Sequence, residues 1–325
     1  MSVAGSPRNT RKALQQLIGN GQTVLLGILA LLCIGFSFGS EQFYSFENII
    51  AIVRQCALVL IVASGMTLLL IAAEVDLSVG AALAFVGCVA MDVTNQTGSV
   101  ALGAAAGILF GGAVGLVNGL VVTRLRVNSL IATIAMLMIL QGGVFLYTRE
   151  AVQNRHQLPP FTQISTGYVG LVPLPVILAA AVFVSAYVLL RFTLFGRSIY
   201  AVGANATAAR LSGLRPERIK LQLFVVTGLL TGLAGLILAS LMNTGQPTAG
   251  RGFELTVVAA VILGGTSLLG GRGTLMGTLL GVLILKVIDN GIIILQLDQN
   301  FQMIVPGVVI IVATWLDLSR SRSYA

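Results

Sequence analysis

The chain has 325 residues, of which 56% are hydrophobic and only 9% charged, with a mean hydropathy of +0.97 and a formal net charge of +8. Soluble domains carry about 25% charged residues, so this composition excludes a soluble enzyme or nucleic-acid binder, and the basic excess reads as the cation-rich loops of a membrane protein. Spanning segments are either apolar helices of ~20 residues or closed β-barrels. Barrel strands alternate in polarity, whereas "ILGGTSLLGG" and "VVIIVAT" are continuous. The fold class expected is all-α, a polytopic membrane protein.

In chain order, "MSVAGSPRNTRKALQQ" is basic and has no small-residue cleavage site behind a short apolar core. It reads as a cytoplasmic tail over 1–22, not a signal peptide. Apolar runs follow at about 23–40, 48–73, 77–94, 100–123, 128–148, 173–192, 221–242, 255–270, 274–295 and 301–317. They predict ten spans in one membrane domain, 23–318, with a cytoplasmic tail at 319–325. The runs at 77–94 and 255–270 are short and contain glycine, so broken or re-entrant spans are expected there. With both termini inside, 14 of the 19 Lys and Arg residues fall on cytoplasmic segments. Only Arg54, Arg149, Arg155 and Arg251 fall outside, and Lys286 falls within a span. That asymmetry is the positive-inside pattern.

Between the second and third spans, "IAAEVDLSVGA" places Glu74 and Asp76 two residues apart. Asp76 or Ser78 is suited to cap the third span, where free N–H groups favour an acceptor, and to hold a helix break open. The fourth run repeats glycine every four residues, at Gly103, Gly107, Gly111, Gly115 and Gly119. This spacing puts one smooth stripe on a helix, for static packing, for sliding, or for both. Gly273, Gly277 and Gly281 repeat it in the ninth run. A polar outer loop, about 149–172, reads as a surface lip. An inner loop, about 193–220, carries "GANATAARLSGLRPERIK". Asn205 or Thr207 can start a short helix there, Gly213 can end it, and Pro216 can start the next. That punctuation reads as a docking helix or as a solvated basic turn.

Glu254, at the start of the eighth run, reads as an interfacial anchor, a partner of Arg251, or a polar group at the mouth of a path. Lys286 and Asp289, three apart, are expected to pair. A loose internal echo relates "GMTLLLIAAEVDLSVGAAL" to "VVAAVILGGTSLLGGRGTL": apolar helix, small or polar break, apolar helix. Paired interruptions of this kind mark substrate pathways in transporters. Cys33, Cys56 and Cys88 lie in apolar runs without paired spacing, and His156 is the only histidine. Neither a disulfide nor a metal site is expected.

"EVDLSVGA", "NGLVVTRLRVNSLIATIAMLMILQGG", "FGRSIYAVGANATAARLSG" and "GFELTVVAAVILGGTSLLGGRGTLMGTLLG" occur in this order. Over roughly 45–315 the chain resembles the permease subunits of bacterial ABC importers for monosaccharides, the ribose, xylose and rhamnose group. The resemblance implies a second permease chain, homo- or heterodimeric, in the inner membrane. It also implies a cytoplasmic ABC ATPase and a periplasmic sugar-binding protein. It makes Asn205, Ala208, Ala209, Arg210 and Gly213 the ATPase-coupling loop. The chain has no G-x-x-x-x-G-K-[ST], so no cofactor is expected on it; ATP and Mg belong to the partner ATPase. Sugars are neutral and rich in hydroxyls, so amides and hydroxyls suit the path. The candidates are Asp76, Ser78, Asn118, Thr133, Glu254 and Asn290, with Asn128, Gln141 and Asn243 beside them. A permease for nucleosides or branched-chain amino acids is the nearest alternative, and an ion-coupled transporter a more distant one. One departure stands out: the family usually has Gly-Gly-Ile-Asp-Leu-Ser-Val-Gly, and Glu74 here occupies a glycine position. Arg272, in the matching second break, is its expected partner.

Overall fold

The computed structural model describes residues 21–322, so the tail expected at 1–22 lies almost wholly outside the described residues. The helices are α1 (Gly21–Gly39), α2 (Phe46–Ile71), α3 (Val79–Thr97), α4 (Val100–Thr123), α5 (Ser129–Tyr147), α6 (Pro159–Thr166), α7 (Leu174–Phe192), α8 (Leu194–Ala204), α9 (Ala206–Leu211), α10 (Pro216–Met242), α11 (Phe253–Leu263), α12 (Leu275–Ile294) and α13 (Phe301–Arg322). A 3₁₀ turn (Glu41–Tyr44) and two short antiparallel pairs complete the described chain: β1 (Val152–Gln153) with β4 (Thr244–Gly245), and β2 (Tyr168–Val169) with β3 (Val172–Pro173).

All ten apolar runs form helices, and eight are long and apolar enough to cross a membrane. The protein is an all-α polytopic membrane protein. The third run is not broken: α3 is a continuous helix of 19 residues. The eighth is the half-length one, because α11 has 11 residues. At 1.5 Å per residue it covers about 16 Å, half of a ~30 Å hydrocarbon core.

Chain from 244 to 252 makes up the difference. A methyl on Gly245 would lie 2.6 Å from Cys88 Cα, and one on Gly250 would lie 1.8 Å from Gly80 O. The segment therefore runs non-helically along α3, from its middle to its first turn. Non-helical backbone is tolerated at membrane depth only when it is covered by protein or faces water; here α3 covers it. α11 then continues to Gly264, which abuts Gly277 at the start of α12.

The centre of the bundle is α2, whose Val59–Ala72 stretch is almost fully buried, with α7, α10, α11 and α12 around it. The glycine stripe of α4 lies at its two most extensive contacts. Gly103 and Gly107 face Thr94, Ala90 and Val86 of α3; Gly111, Gly115 and Gly119 face Gly228, Phe224 and Leu221 of α10. A Cβ on Gly115 would lie 2.2 Å from Phe224 O, so the α10 backbone would have to move. Gly115→Ala is expected to cost about 1–3 kcal/mol through overpacking and to lower the thermal denaturation midpoint in detergent. Gly142→Ala, with nothing within 4 Å of its Cβ, is the control that leaves the midpoint in place.

The polar loops are built structures too. Outer α6 inserts Phe161, which is fully buried, and Ser165 N donates to Ser240 Oγ of α10 at 3.0 Å. Asn154 Nδ2 donates to Asn243 Oδ1 at 2.9 Å, beside the β1–β4 pair. The expected lip is thus a cap fastened to the end of α10.

Candidate functional site

The Arg-rich end of the bundle is organised by α9. Asn205 Oδ1 accepts from Ala208 N at 2.9 Å and starts the helix. Gly213 stands at φ +87°, and Leu214 N closes back on Ala209 O at 3.1 Å. This left-handed exit lets the last carbonyls of α9 find donors. Pro216 then occupies the first turn of α10. Ala209 is buried, while Asn205, Ala208, Arg210 and Gly213 are exposed. Leu211 is 87% exposed, so α9 presents a small-residue face with one apolar knob. Arg210 pairs with Glu217 across the turn, both being exposed. Such a surface pair contributes less than about 1 kcal/mol, so Arg210 remains available to an acidic partner.

Both flanks of α9 are fixed to the span breaks. On one side, a methyl on Gly203 of α8 would lie 1.7 Å from Ile71 O, and Ile71 O also accepts from Gly271 N at 2.8 Å. The break after α2 and the break before α12, 200 residues apart in sequence, are thereby joined at the end of α8. On the other side, Lys220 of α10 pairs with Glu74 at 2.5 Å, with side-chain exposures of 21% and 8%. This corrects the expected Glu74–Arg272 contact: Arg272 is exposed and Lys220 holds the carboxylate. The left-handed residue of this break is Ala73, at φ +60°, and not Glu74.

Next along the break, Asp76, Ser78 and Asn118 form one buried cluster. Asp76 Oδ1 accepts from Ser78 N at 2.9 Å and from Ser78 Oγ at 2.6 Å. Asn118 Nδ2 reaches Asp76 Oδ2 at 3.2 Å and Ser78 Oγ at 2.9 Å. The side chains thus tie the start of α3 to α4. They do not cap α3 as expected: Ser78 holds the N-cap position but makes no side-chain bond to the first turn. Thr133 is buried on α5, its hydroxyl spent on Ser129 O at 2.8 Å.

Closer to mid-depth, α3 and α11 meet N-terminus to N-terminus. A Cβ on Gly80 would lie 2.0 Å from Glu254 Oε2 and 2.5 Å from Gly250 O. Because Gly250 abuts Gly80 and α11 covers ~16 Å from there to the start of α12, Glu254 and Arg251 stand level with the first turn of α3. The expected outer-face placement of both is corrected, and they form no ion pair among the described residues. Beside them, a small open cleft is walled by Gly80, Ala84, Gln141, Phe145, Gly250 and Arg251.

The other candidates lie elsewhere. Asn290 exchanges two amide hydrogen bonds with Asn48, at 2.7 and 3.1 Å, so its polar groups are occupied in helix pairing. Lys286 pairs with Asp289 at 2.6 Å. Asn128 caps α5 through Leu130 N, and Asn243 ends α10 at φ +51°. Sequence reasoning missed Gly203, Lys220 and the level of Arg251 along α3. No local pattern marks the first two, and the third was hidden by counting charges in chain order.

Known proteins share this sequence over most of its length. A model of the family described as "Branched-chain amino acid transport system / permease component" matches residues 48–314. The ribose import permease protein RbsC of Escherichia coli strain K12 is 39% identical over 303 residues, covering 91% of this chain and 93% of that one. RbsC of Bacillus subtilis strain 168 is 37% identical, covering 91% and 92%. The L-arabinose ABC transporter permease protein AraH of Azospirillum brasilense is 37% identical, covering 98% and 93%. With the family match spanning most of its helices and these identities running nearly end to end, the chain belongs to this family of transport-system permeases.

Proposed function

We propose that the chain is the membrane-spanning subunit of an ATP-driven importer that carries a monosaccharide across a bacterial inner membrane. The observation that carries this reading is the 37–39% identity, over nine-tenths or more of the chain, to permeases named for ribose and arabinose. In this reading two permease chains pair, a periplasmic binding protein delivers the sugar at the capped end, and a separate ATPase holds ATP and Mg at the Arg-rich end. Asn205, Ala208, Ala209, Arg210 and Gly213 form the ATPase contact.

The geometry supplies a route for the force. Closure of the ATPase pair pushes α9. Gly203 passes the displacement to Ile71 and Gly271, and Lys220 passes it to Glu74. Both span breaks move together, and with them the starts of α3 and α12. Asp76, Ser78 and Asn118 keep the α3 start attached to α4 during that motion, and Glu254 sits where α3 and α11 meet.

Deleting 206–213 is expected to lower sugar uptake by the assembled transporter at least about tenfold while ATP hydrolysis continues. Uptake unchanged by the deletion overturns the coupling assignment. The family description itself names branched-chain amino acids, but the relatives are named for ribose and arabinose, so an amino acid permease is the alternative to test against. Uptake of a panel of labelled sugars and amino acids by the same assembly decides between them.

A further inference from the structure

The cleft between α3, α5 and the 246–252 segment has two polar side chains that nothing in the bundle satisfies. Gln141 and Arg251 are both exposed, and neither side chain has a hydrogen-bond or ion-pair partner among the described residues. Both line the cleft, Gln141 from α5 and Arg251 from the 246–252 segment. An open amide and an open guanidinium at membrane depth are stable only where water or a polar ligand meets them. The cleft is therefore aqueous rather than lipid-filled. Its floor is closed by the backbone contact of Gly80 with Gly250.

We infer that this cleft is a transient sugar site in which Arg251 and Gln141 receive the cargo's hydroxyl oxygens. The inference rests on the sugar-importer reading above and names the residues that select the cargo. The guanidinium offers five N–H donors in a plane, a fork able to span two neighbouring oxygens. The Gln141 amide both donates and accepts. Phe145, 42% exposed, supplies an apolar face for the C–H side of a sugar ring. Glu254 stands against Gly80 and does not line the cleft, which leaves Arg251 as its charge. The cleft thus favours solutes rich in oxygen acceptors and disfavours cations.

The test uses the complete transporter in proteoliposomes, with its ATPase and binding protein, and labelled ribose or arabinose, whichever the wild type carries. Arg251→Gln is expected to lower the initial uptake rate about tenfold or more, the scale of losing a charged hydrogen bond. Arg251→Lys, which keeps the charge and loses the fork, is expected to recover it only in part. Gln141→Cys is expected to react with a membrane-impermeant methanethiosulfonate, and more slowly while sugar is being transported. Cys56 and Cys88 are buried and Cys33 is half-buried, so the wild type gives the background. Wild-type uptake by Arg251→Gln overturns the inference, as does a Gln141→Cys transporter whose new thiol fails to react or is not protected by sugar. Should Arg251→Gln fail to assemble, the labelling decides. A wild-type assembly that carries no sugar at all sinks the functional reading, and this inference with it.

Discussion

Replacing Gly203 with valine is expected to abolish coupled uptake while leaving the ATPase bound. Position 203 is where the helix leading into α9 touches the backbone of both span breaks. Its Cβ would lie 1.7 Å from Ile71 O and 2.8 Å from Gly271 N, and both neighbours are backbone atoms rather than yielding side-chain tips. Overpacking costs of about 1–3 kcal/mol are therefore a lower bound. Pushing α8 away also threatens the 2.8 Å bond from Gly271 N to Ile71 O, and an orphaned buried N–H costs about 1–3 kcal/mol more. The outward residues of α9, Ala208 and Leu211 among them, are untouched, so co-purification of the ATPase should persist. Uptake measured in the same preparation is expected below a tenth of wild type. Full uptake by Gly203→Val would show that the α8–α2–α12 junction transmits nothing.

The ten helices could be read from hydropathy because each records its own burial in apolar letters. The limits of α9 were legible for a different reason: Asn205 and Gly213 act on backbone groups within three to five residues, so cause and effect share one stretch of sequence. The Lys286–Asp289 pair was legible on the same ground. Contacts between distant residues were not. Glu74 and Lys220 are 146 residues apart, Asn48 and Asn290 are 242 apart, and nothing local distinguishes Lys220 from Arg272 as a partner. The eighth span misled in another way. The stretch from Gly245 to Gly250 steps through turns alongside α3 from Cys88 to Gly80, covering more length per residue than a helix does. Counting residues as helix therefore left Arg251 and Glu254 at the surface when they stand level with the first turn of α3. Ala73 is a smaller lesson. The family's glycine pair marks the left-handed turn correctly, but the turn falls on its first residue, which is how Glu74 can carry a side chain at all.

That side chain leads to the second large effect. Glu74→Lys and Lys220→Glu are each expected to destabilise the protein by about 3 kcal/mol and to stop uptake, whereas the double exchange restores most of both. Removing one member of a buried pair leaves an uncompensated charge, at a cost of about 3–5 kcal/mol. With Lys220 21% exposed and Glu74 8%, some water reaches the ammonium, which places this pair at the low end. The pair need not be a net source of stability, because desolvating two charges offsets much of their attraction. Its consequence lies in connectivity: Lys220 is in the second turn of α10, just past the exit of α9, and Glu74 lies in the break between α2 and α3. The bond therefore ties the ATPase-facing loop to the break that starts α3. A double-mutant cycle read in both denaturation midpoint and uptake separates the two roles. Coupling energy in both readouts makes the bond a working connection. Coupling in stability alone, with uptake indifferent to the exchange, would make it a structural clamp and leave the α8 junction at Gly203 to carry the motion.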